Sequence, residues 1–158
     1  MIALIAAIAK NNCIGKNNEL PWHIPEDLKH FRNLTKDKTV LMGRKTFESI
    51  VSYLGKPLPK RKNLVITTNT GYKAPNGVKI YNSIKSALEK NSEDNIFIIG
   101  GAAIYKQTIN LADKLYITHV NKKVDGDAFF PKIDTAKWKK TEKENYDGFS
   151  FVTYNKIK

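Results

Sequence analysis

A chain of 158 residues is long enough to bury a substantial core and short enough to form one domain, so residues 1–158 are read as a single unit. Its formal charge of +12 comes from 27 basic and 15 acidic residues, yet only Arg32, Arg44 and Arg61 are arginine. The lysines are scattered, with Lys122-Lys123 and Lys139-Lys140 as the longest lysine runs, and no helix-turn-helix or zinc spacing accompanies them; this argues against a nucleic-acid surface and leaves a solvated charged surface as the first reading, with steering of a small anionic ligand as the second.

Met1 to Ala9 is apolar throughout but lacks a basic leader and a cleavage-like context, so it reads as a buried strand. No segment approaches the roughly 20 apolar residues that span a bilayer, and the lone Cys13 permits no intramolecular disulfide. A cytoplasmic protein without a membrane partner is the expectation. In Leu20-Pro21-Trp22-His23-Ile24-Pro25-Glu26-Asp27-Leu28, Pro25 suits the first position of a helix running to about Leu34. Asp27, Phe31 and Leu34 then fall at i, i+4 and i+7, with Leu28 beside them, on a stripe that faces the interior. That places the Asp27 carboxyl among hydrophobes near Trp22, where it needs a partner and where burial raises its pKa.

The runs Thr39–Met42, Leu64–Ile66 and Ile96–Ile99, like Ile2–Ala9, are continuously apolar, which suggests parallel strands covered by helices. Met42-Gly43-Arg44-Lys45-Thr46 reads as a strand ending at a helix start. There, free N–H groups and two cations could receive a phosphate. Phe47, Ile50, Val51 and Leu54 continue that helix to a stop at Gly55. Ser83 caps a short helix whose inner face is Ile84, Ala87 and Leu88. Ile99-Gly100-Gly101-Ala102 repeats the strand, glycine turn and helix pattern, and Ile104, Thr108 and Leu111 share one side of the helix that follows. Lys114–Val120 reads as a strand, with Trp138–Glu144 and Phe149–Asn155 as a hairpin around Asp147-Gly148. The sum is an α/β domain with a mostly parallel sheet, an antiparallel C-terminal edge strand and a ligand site beyond the carboxyl ends of the strands.

Several chemistries drop out. The sequence contains neither G-x-G-x-x-G, a P-loop nor G-x-S-x-G, and His23, His30 and His119 lack metal-ligand spacing. No metal site is expected, and His23 and His30 read as surface residues.

In this setting the chain resembles dihydrofolate reductase of the bacterial single-domain type, over essentially its whole length. The landmarks, in order, are the N-terminal Ile-Ala-Ala strand, Ile14-Gly15, Leu20-Pro21-Trp22, Pro25 with Asp27-Leu28, and Met42 to Ile50. They continue through Pro57-Leu58-Pro59-Lys60-Arg61, Ile99-Gly100-Gly101, Tyr116-Ile117-Thr118, and Gly126-Asp127 with Phe130-Pro131. The resemblance implies a central eight-stranded sheet with helices on both faces. It also implies NADPH-dependent reduction of 7,8-dihydrofolate to tetrahydrofolate, with hydride delivered to C6 and a proton to N5. Asp27, Trp22 and Thr118 take the catalytic positions, Asp27 pairing with the pterin 2-amino group and N3. The substrate pocket it implies comprises Ile5, Ala6, Asp27, Leu28, Phe31, Ile50, Leu58, Ile99, Tyr105 and Thr118. Arg61 matches the guanidinium that forks onto the glutamate α-carboxylate.

For the cofactor the resemblance points to Ala7, Ile14, Gly15, Trp22, Gly100 and Gly101 around the nicotinamide, and to Asn18, Leu20, Ile99, Ala102 and Tyr105 as further cofactor-binding positions. Gly43, Arg44, Lys45, Thr46, Thr67 and Thr68 match the phosphate and adenosine side. A cis Gly100-Gly101 peptide is expected, with Ala9 to about Leu20 as a closing loop latched by Gly126-Asp127. Antifolate inhibitors would share the substrate site, and a monomer is implied.

The chain departs from the family pattern in three places. Val51 to Leu54 are extra and should add one helical turn. Ala102 and Ala103 replace polar, basic or glycine residues, and Leu20 stands where many members carry Met. Two other readings compete: a pyrimidine reductase of the riboflavin pathway, which would not call for Asp27 and Arg61, and a basic nucleic-acid-binding module, which would need a clustered face and steep salt dependence.

Overall fold

The computed structural model describes residues 1–16, 22–69 and 71–158. The expected site residues Asn18 and Leu20, and Pro21 of the Leu-Pro-Trp landmark, lie outside the described residues. In chain order the strands are β1 (Ile2–Ile8), β2 (Cys13–Gly15), β3 (Thr39–Gly43), β4 (Lys62–Ile66), β5 (Val78–Tyr81), β6 (Ile96–Gly100), β7 (Lys114–Val120), β8 (Ala128–Phe129), β9 (Trp138–Tyr146) and β10 (Phe149–Lys156). The helices are α1 (Pro25–Thr35), α2 (Arg44–Leu54), α3 (Ile84–Lys90) and α4 (Ala102–Thr108).

Eight strands form one sheet in the order β5-β4-β3-β6-β1-β7-β10-β9. All pairings from β5 to β7 are parallel, and β10 then pairs antiparallel with both β7 and β9. The α/β class, the mostly parallel sheet and the antiparallel C-terminal edge agree with expectation. Two elements escaped the sequence. β5 is a half-buried edge strand with a single neighbour, so its Val78-Lys79-Ile80-Tyr81 lacks the long apolar run of a central strand. The β2–β8 ribbon is too short to show a period.

Side chains alternate across the sheet with period two and divide the core. Ala3, Ile5, Val40, Met42, Val65 and Phe97 pack on one face with Phe31 and Leu34 of α1 and with Phe47, Ile50 and Val51 of α2. Leu4, Ile8, Leu41, Leu64 and Ile98 pack on the other with Ala87 of α3 and Ile104 of α4. Burying a Leu, Ile or Phe side chain contributes about 1.5–3 kcal/mol, so each helix is held mainly by its apolar stripe.

Local signals explain the ends. Pro25 opens α1 where its missing N–H costs nothing. The Ser83 hydroxyl accepts from Ser86 N at 3.1 Å and caps α3. Gly55, left-handed at φ 77°, closes α2, with its N–H donating to Val51 O at 2.7 Å. The extra residues Val51 to Leu54 therefore do form a helical turn. Val51 joins the apolar cluster, whereas Leu54 is 41% exposed, so the stripe stops one turn earlier than the spacing suggested. Leu111 is likewise 51% exposed, because α4 tightens after Thr108 into a 3-10 turn (Ile109–Leu111) that breaks the 3.6-residue face.

Asp127 N donates to Gly15 O at 3.0 Å, tying the segment before β8 to β2. A Cβ at Gly126 would lie 2.4 Å from both Cys13 Sγ and Gly15 O, the latter a backbone atom that cannot swing away. Gly126→Ala is therefore expected to destabilise the protein by about 1–3 kcal/mol. This would appear as a Tm lowered by roughly 2–4 °C for each kcal/mol, and an unchanged melting curve would show that the close packing there is not required.

Candidate functional site

The site begins with Asp27. Its place in the first turn of α1 turns the carboxyl toward the sheet, where Thr118 of β7 projects from the same face. Thr118 Oγ1 donates to Asp27 Oδ1 at 2.5 Å across 91 residues of sequence. Burial pushes the Asp27 pKa above its ordinary value, with the Thr118 hydrogen bond and the charge of His30 pulling it part of the way back. Trp22 stands three residues before Pro25, and its indole Nε1 is buried without a hydrogen-bond partner among the described residues. A buried orphan donor of this kind asks for a bound water or ligand.

An apolar wall surrounds the carboxyl. Ile5, Phe31, Ile50, Leu58 and Ile99 belong to one cluster, and Leu28, at 39% exposure, stands at its outer lip. Ala6 differs from expectation. The alternation of β1 sends it into the opposite cluster, with Ile14 and Tyr105, so any role at the site falls to its backbone. Tyr105 is buried, and its hydroxyl donates to the Ile5 carbonyl at 2.7 Å. Burial, reinforced by the Asp27 charge, keeps its phenol protonated.

At the rim, Arg61 is held by three acceptors. Nε donates to Thr35 Oγ1 at 3.1 Å, Nη1 to Pro59 O at 2.7 Å and Nη2 to Arg32 O at 3.1 Å. None of these is a carboxylate. The guanidinium is thus fixed by neutral groups, with its charge and two N–H donors left over. Desolvation, then the nearby Arg32, lowers its pKa.

The second half of the site lies at the carboxyl ends of β3 and β6. Their register pairs Met42 with Gly100, and the Gly100-Gly101 peptide is cis, as expected. A Cβ on Gly100 would come 3.2 Å from Thr46 Oγ1, and one on Gly101 3.3 Å. Any side chain there would fill a floor that the two glycines leave as bare backbone. Gly43 precedes α2 without a side-chain cap, so first-turn N–H groups point outward beside exposed Lys45. Thr67 and the exposed Thr68 follow β4 at the same edge of the sheet. Ala7 ends the row on β1, paired with Thr118, while Gly15 and Ala102 sit at the margins. The residues present thus offer a bare-backbone cradle, uncapped N–H groups and cations, a donor set suited to a dinucleotide with several phosphates.

The family model described as dihydrofolate reductase matches residues 1–156. The chain belongs to the dihydrofolate reductase family. It is 41% identical over 169 residues to dihydrofolate reductase of Bacillus subtilis (strain 168), an alignment covering 99% of this chain and 95% of the relative. It is 48% identical over 144 residues to that of Neisseria meningitidis serogroup B, covering 90% of this chain and 86% of the relative. The solved structure of dihydrofolate reductase from Enterococcus faecalis complexed with NADP(H) and RAB-propyl superposes with a TM-score of 0.89 at 34% identity. That match covers 100% of this chain and 97% of the other. Neither the pyrimidine-reductase reading nor the nucleic-acid reading finds support in these matches.

Two features of this dihydrofolate reductase domain were not anticipated. His30 is not a free surface residue. It lies one turn beyond Asp27 and stacks on Phe151 with ring centroids 3.9 Å apart and planes 6° apart. Burial lowers its pKa, while Asp27 and Glu144 oppose this. The i, i+3 spacing from Asp27 was the available signal, but nothing local names Phe151 as its partner. Arg44 is also engaged, since its Nη1 reaches both Glu48 oxygens, at 2.6 and 3.2 Å, one turn along α2. An exposed i, i+4 pair is worth only about 0.3–0.5 kcal/mol, so it yields readily to a stronger anion.

The raised pKa of Asp27 sets the sign of a stability effect. The folded state holds this proton more tightly than the unfolded chain, so stability falls as pH rises from the ordinary value of 3.8 through the raised one. Above that window the buried charge is a constant cost. Asp27→Asn keeps the acceptor for Thr118 and is expected to raise Tm at neutral pH, with the gain shrinking as pH falls toward 3.8. Thermal melts of both proteins across pH check this; a gain that grew in acid would reverse the assignment.

Proposed function

We propose that this chain reduces 7,8-dihydrofolate to 5,6,7,8-tetrahydrofolate, with the Asp27–Thr118 pair holding the pterin. The observation that carries the residue assignment is a half-buried carboxylate gripped by a hydroxyl at the foot of an apolar wall. NADPH, when bound, supplies the hydride. Gly43, Lys45, Thr46 and the Gly100-Gly101 backbone would hold it, Thr67 and Thr68 would line its adenosine side, and Arg44 would exchange Glu48 for a phosphate.

Asp27 accepts the pterin 2-amino and N3 protons, which fixes the ring in plane. Thr118 donates to one carboxylate oxygen and so fixes the plane of the carboxylate, which leaves both oxygens a lone pair for the two pterin donors. The apolar wall of Ile5, Leu28, Phe31, Ile50 and Leu58 excludes water and strengthens that pairing. Asp27 binds the pyrimidine side of the pterin, so the proton for N5 arrives through water. The partnerless indole N–H of Trp22 suits a residue that anchors such a water. Arg61, already oriented by Thr35, Pro59 and Arg32, offers two parallel N–H groups to the glutamate α-carboxylate. Antifolate inhibitors would compete at the same carboxylate.

A monomer acting in the cytoplasm, with no nucleic-acid or membrane partner, is the accompanying reading. It is supported by the unclustered lysines and the buried, unpaired Cys13. Among the described residues no helix is long and apolar enough to cross a membrane, and no group of three His, Cys, Asp or Glu could hold a metal ion.

Oxidation of NADPH in the presence of dihydrofolate is the deciding assay. Wild type should turn over, and Asp27→Asn should lose most activity near neutral pH and recover part of it in acid, where solution supplies the proton. Failure of the wild type to turn over would refute the activity. Retention of full activity by Asp27→Asn would refute the residue assignment alone. Arg61→Lys keeps the charge but loses the fork, and should raise KM for dihydrofolate about 10- to 100-fold, the equivalent of ~1.5–3 kcal/mol for hydrogen bonds to a charged group. An unchanged KM would remove Arg61 from the site.

A further inference from the structure

At the end of the sheet beside the β9–β10 turn lies a concavity of about 390 Å³, lined by residues from both faces, His119 and Ser150 from one and Val120, Tyr146 and Phe149 from the other. It opens where β1 runs out at Ala9 and β7 at Val120, against the β9–β10 hairpin. The sheet register builds its floor. Ser150 pairs with His119 on one side and with Asn145 on the other, so the three stand in one row across β7, β10 and β9. Lys143 follows two residues along on the same face, opposite Val152. Lys10, from the turn after β1, completes the cationic lining, and Asn12 and Asn121 add amide groups. Among the described residues no Asp or Glu lines the cavity.

His119 reports the local field. Its Nε2 is 2.8 Å from the Tyr154 hydroxyl. Burial lowers its pKa, and both Lys140 and Lys143 push it further down. Lys10 and Lys143 on the walls of one concavity give it a positive potential.

We propose that this cavity is a binding site for a small anion bearing phosphate or pyrophosphate groups. Lys10 and Lys143 supply charge, and a bound anion would offset the effects that hold His119 neutral. Asn12, Asn121, Asn145 and Ser150 supply N–H and O–H donors from several directions, which suits a tetrahedral oxyanion. The volume exceeds a single ion and is in the range of small-molecule sites. The proposal does not rest on the reductase reading, because neither His119 nor Lys143 belongs to the residues assigned there to dihydrofolate or NADPH.

The test is an NMR titration of the intact protein with sodium pyrophosphate, following the His119 ring protons, against sodium chloride at matched ionic strength. The expected result is a saturable shift at His119 with a raised His119 pKa, since an anion favours the charged imidazole. Lys143→Gln should weaken that binding about tenfold while leaving Tm and dihydrofolate turnover unchanged. Two results would overturn the proposal: a linear response equal to that of chloride, or saturation that survives both Lys143→Gln and Lys10→Gln. The second would place the pyrophosphate elsewhere, for instance at the start of α2.

Discussion

Taking a carboxylate out of water costs several kcal/mol unless something replaces its hydration, and this molecule meets that cost at Asp27 from two adjacent strands. Thr118 of β7 donates directly to the carboxylate. Phe151 of β10 is the cross-strand partner of Thr118 and stacks on His30, one turn further along α1. Two contacts one helical turn apart fix both the rotation and the height of α1 over the sheet. The apolar wall on the same helix face, Phe31 and Leu34, then packs in a single register.

Fixing α1 defines one side of the cleft, and the parallel sheet defines the other. Strands that run the same way end at the same edge, so the turns after β3 and β6 and the residues after β4 collect there without any one of them carrying a strong motif. Gly43, Thr46 and the Gly100-Gly101 pair are more than 50 residues apart in sequence, yet the Met42–Gly100 register makes them one surface. A half-buried carboxylate on one side and bare, uncapped backbone on the other are therefore a property of topology as much as of side chains.

Much of this was legible from residue order. The Pro25 start, the inward Asp27, the Gly55 stop and the Ser83 cap are local events with local causes, and they stand where the spacing placed them. The family landmarks carried the cleft. What the sequence did not disclose was set by partners far along the chain. The His30 stack depends on a ring 121 positions away. Ala6 needed the phase of β1 before its side could be assigned. Leu111 left its helical face only because α4 tightens into a 3-10 turn. Arg44 sits where a phosphate site was expected, but its own helix offers Glu48 at a spacing too common to read as a pairing.

The position of β1 has a consequence for how the chain is made. Of the strands in this sheet β1 is synthesised before the others, yet its neighbours are β6 and β7, which begin at Ile96 and Lys114. A nascent chain therefore carries seven uninterrupted apolar residues, Ile2–Ile8, whose sheet partners emerge from the ribosome more than 90 residues later. Closing that long loop is entropically slow, and an unpaired apolar strand is an invitation to aggregation in the interval. The strand that carries Ile5 and Ala7 to the centre of the cleft is thus also the segment whose exposure during synthesis governs whether the chain folds or is lost.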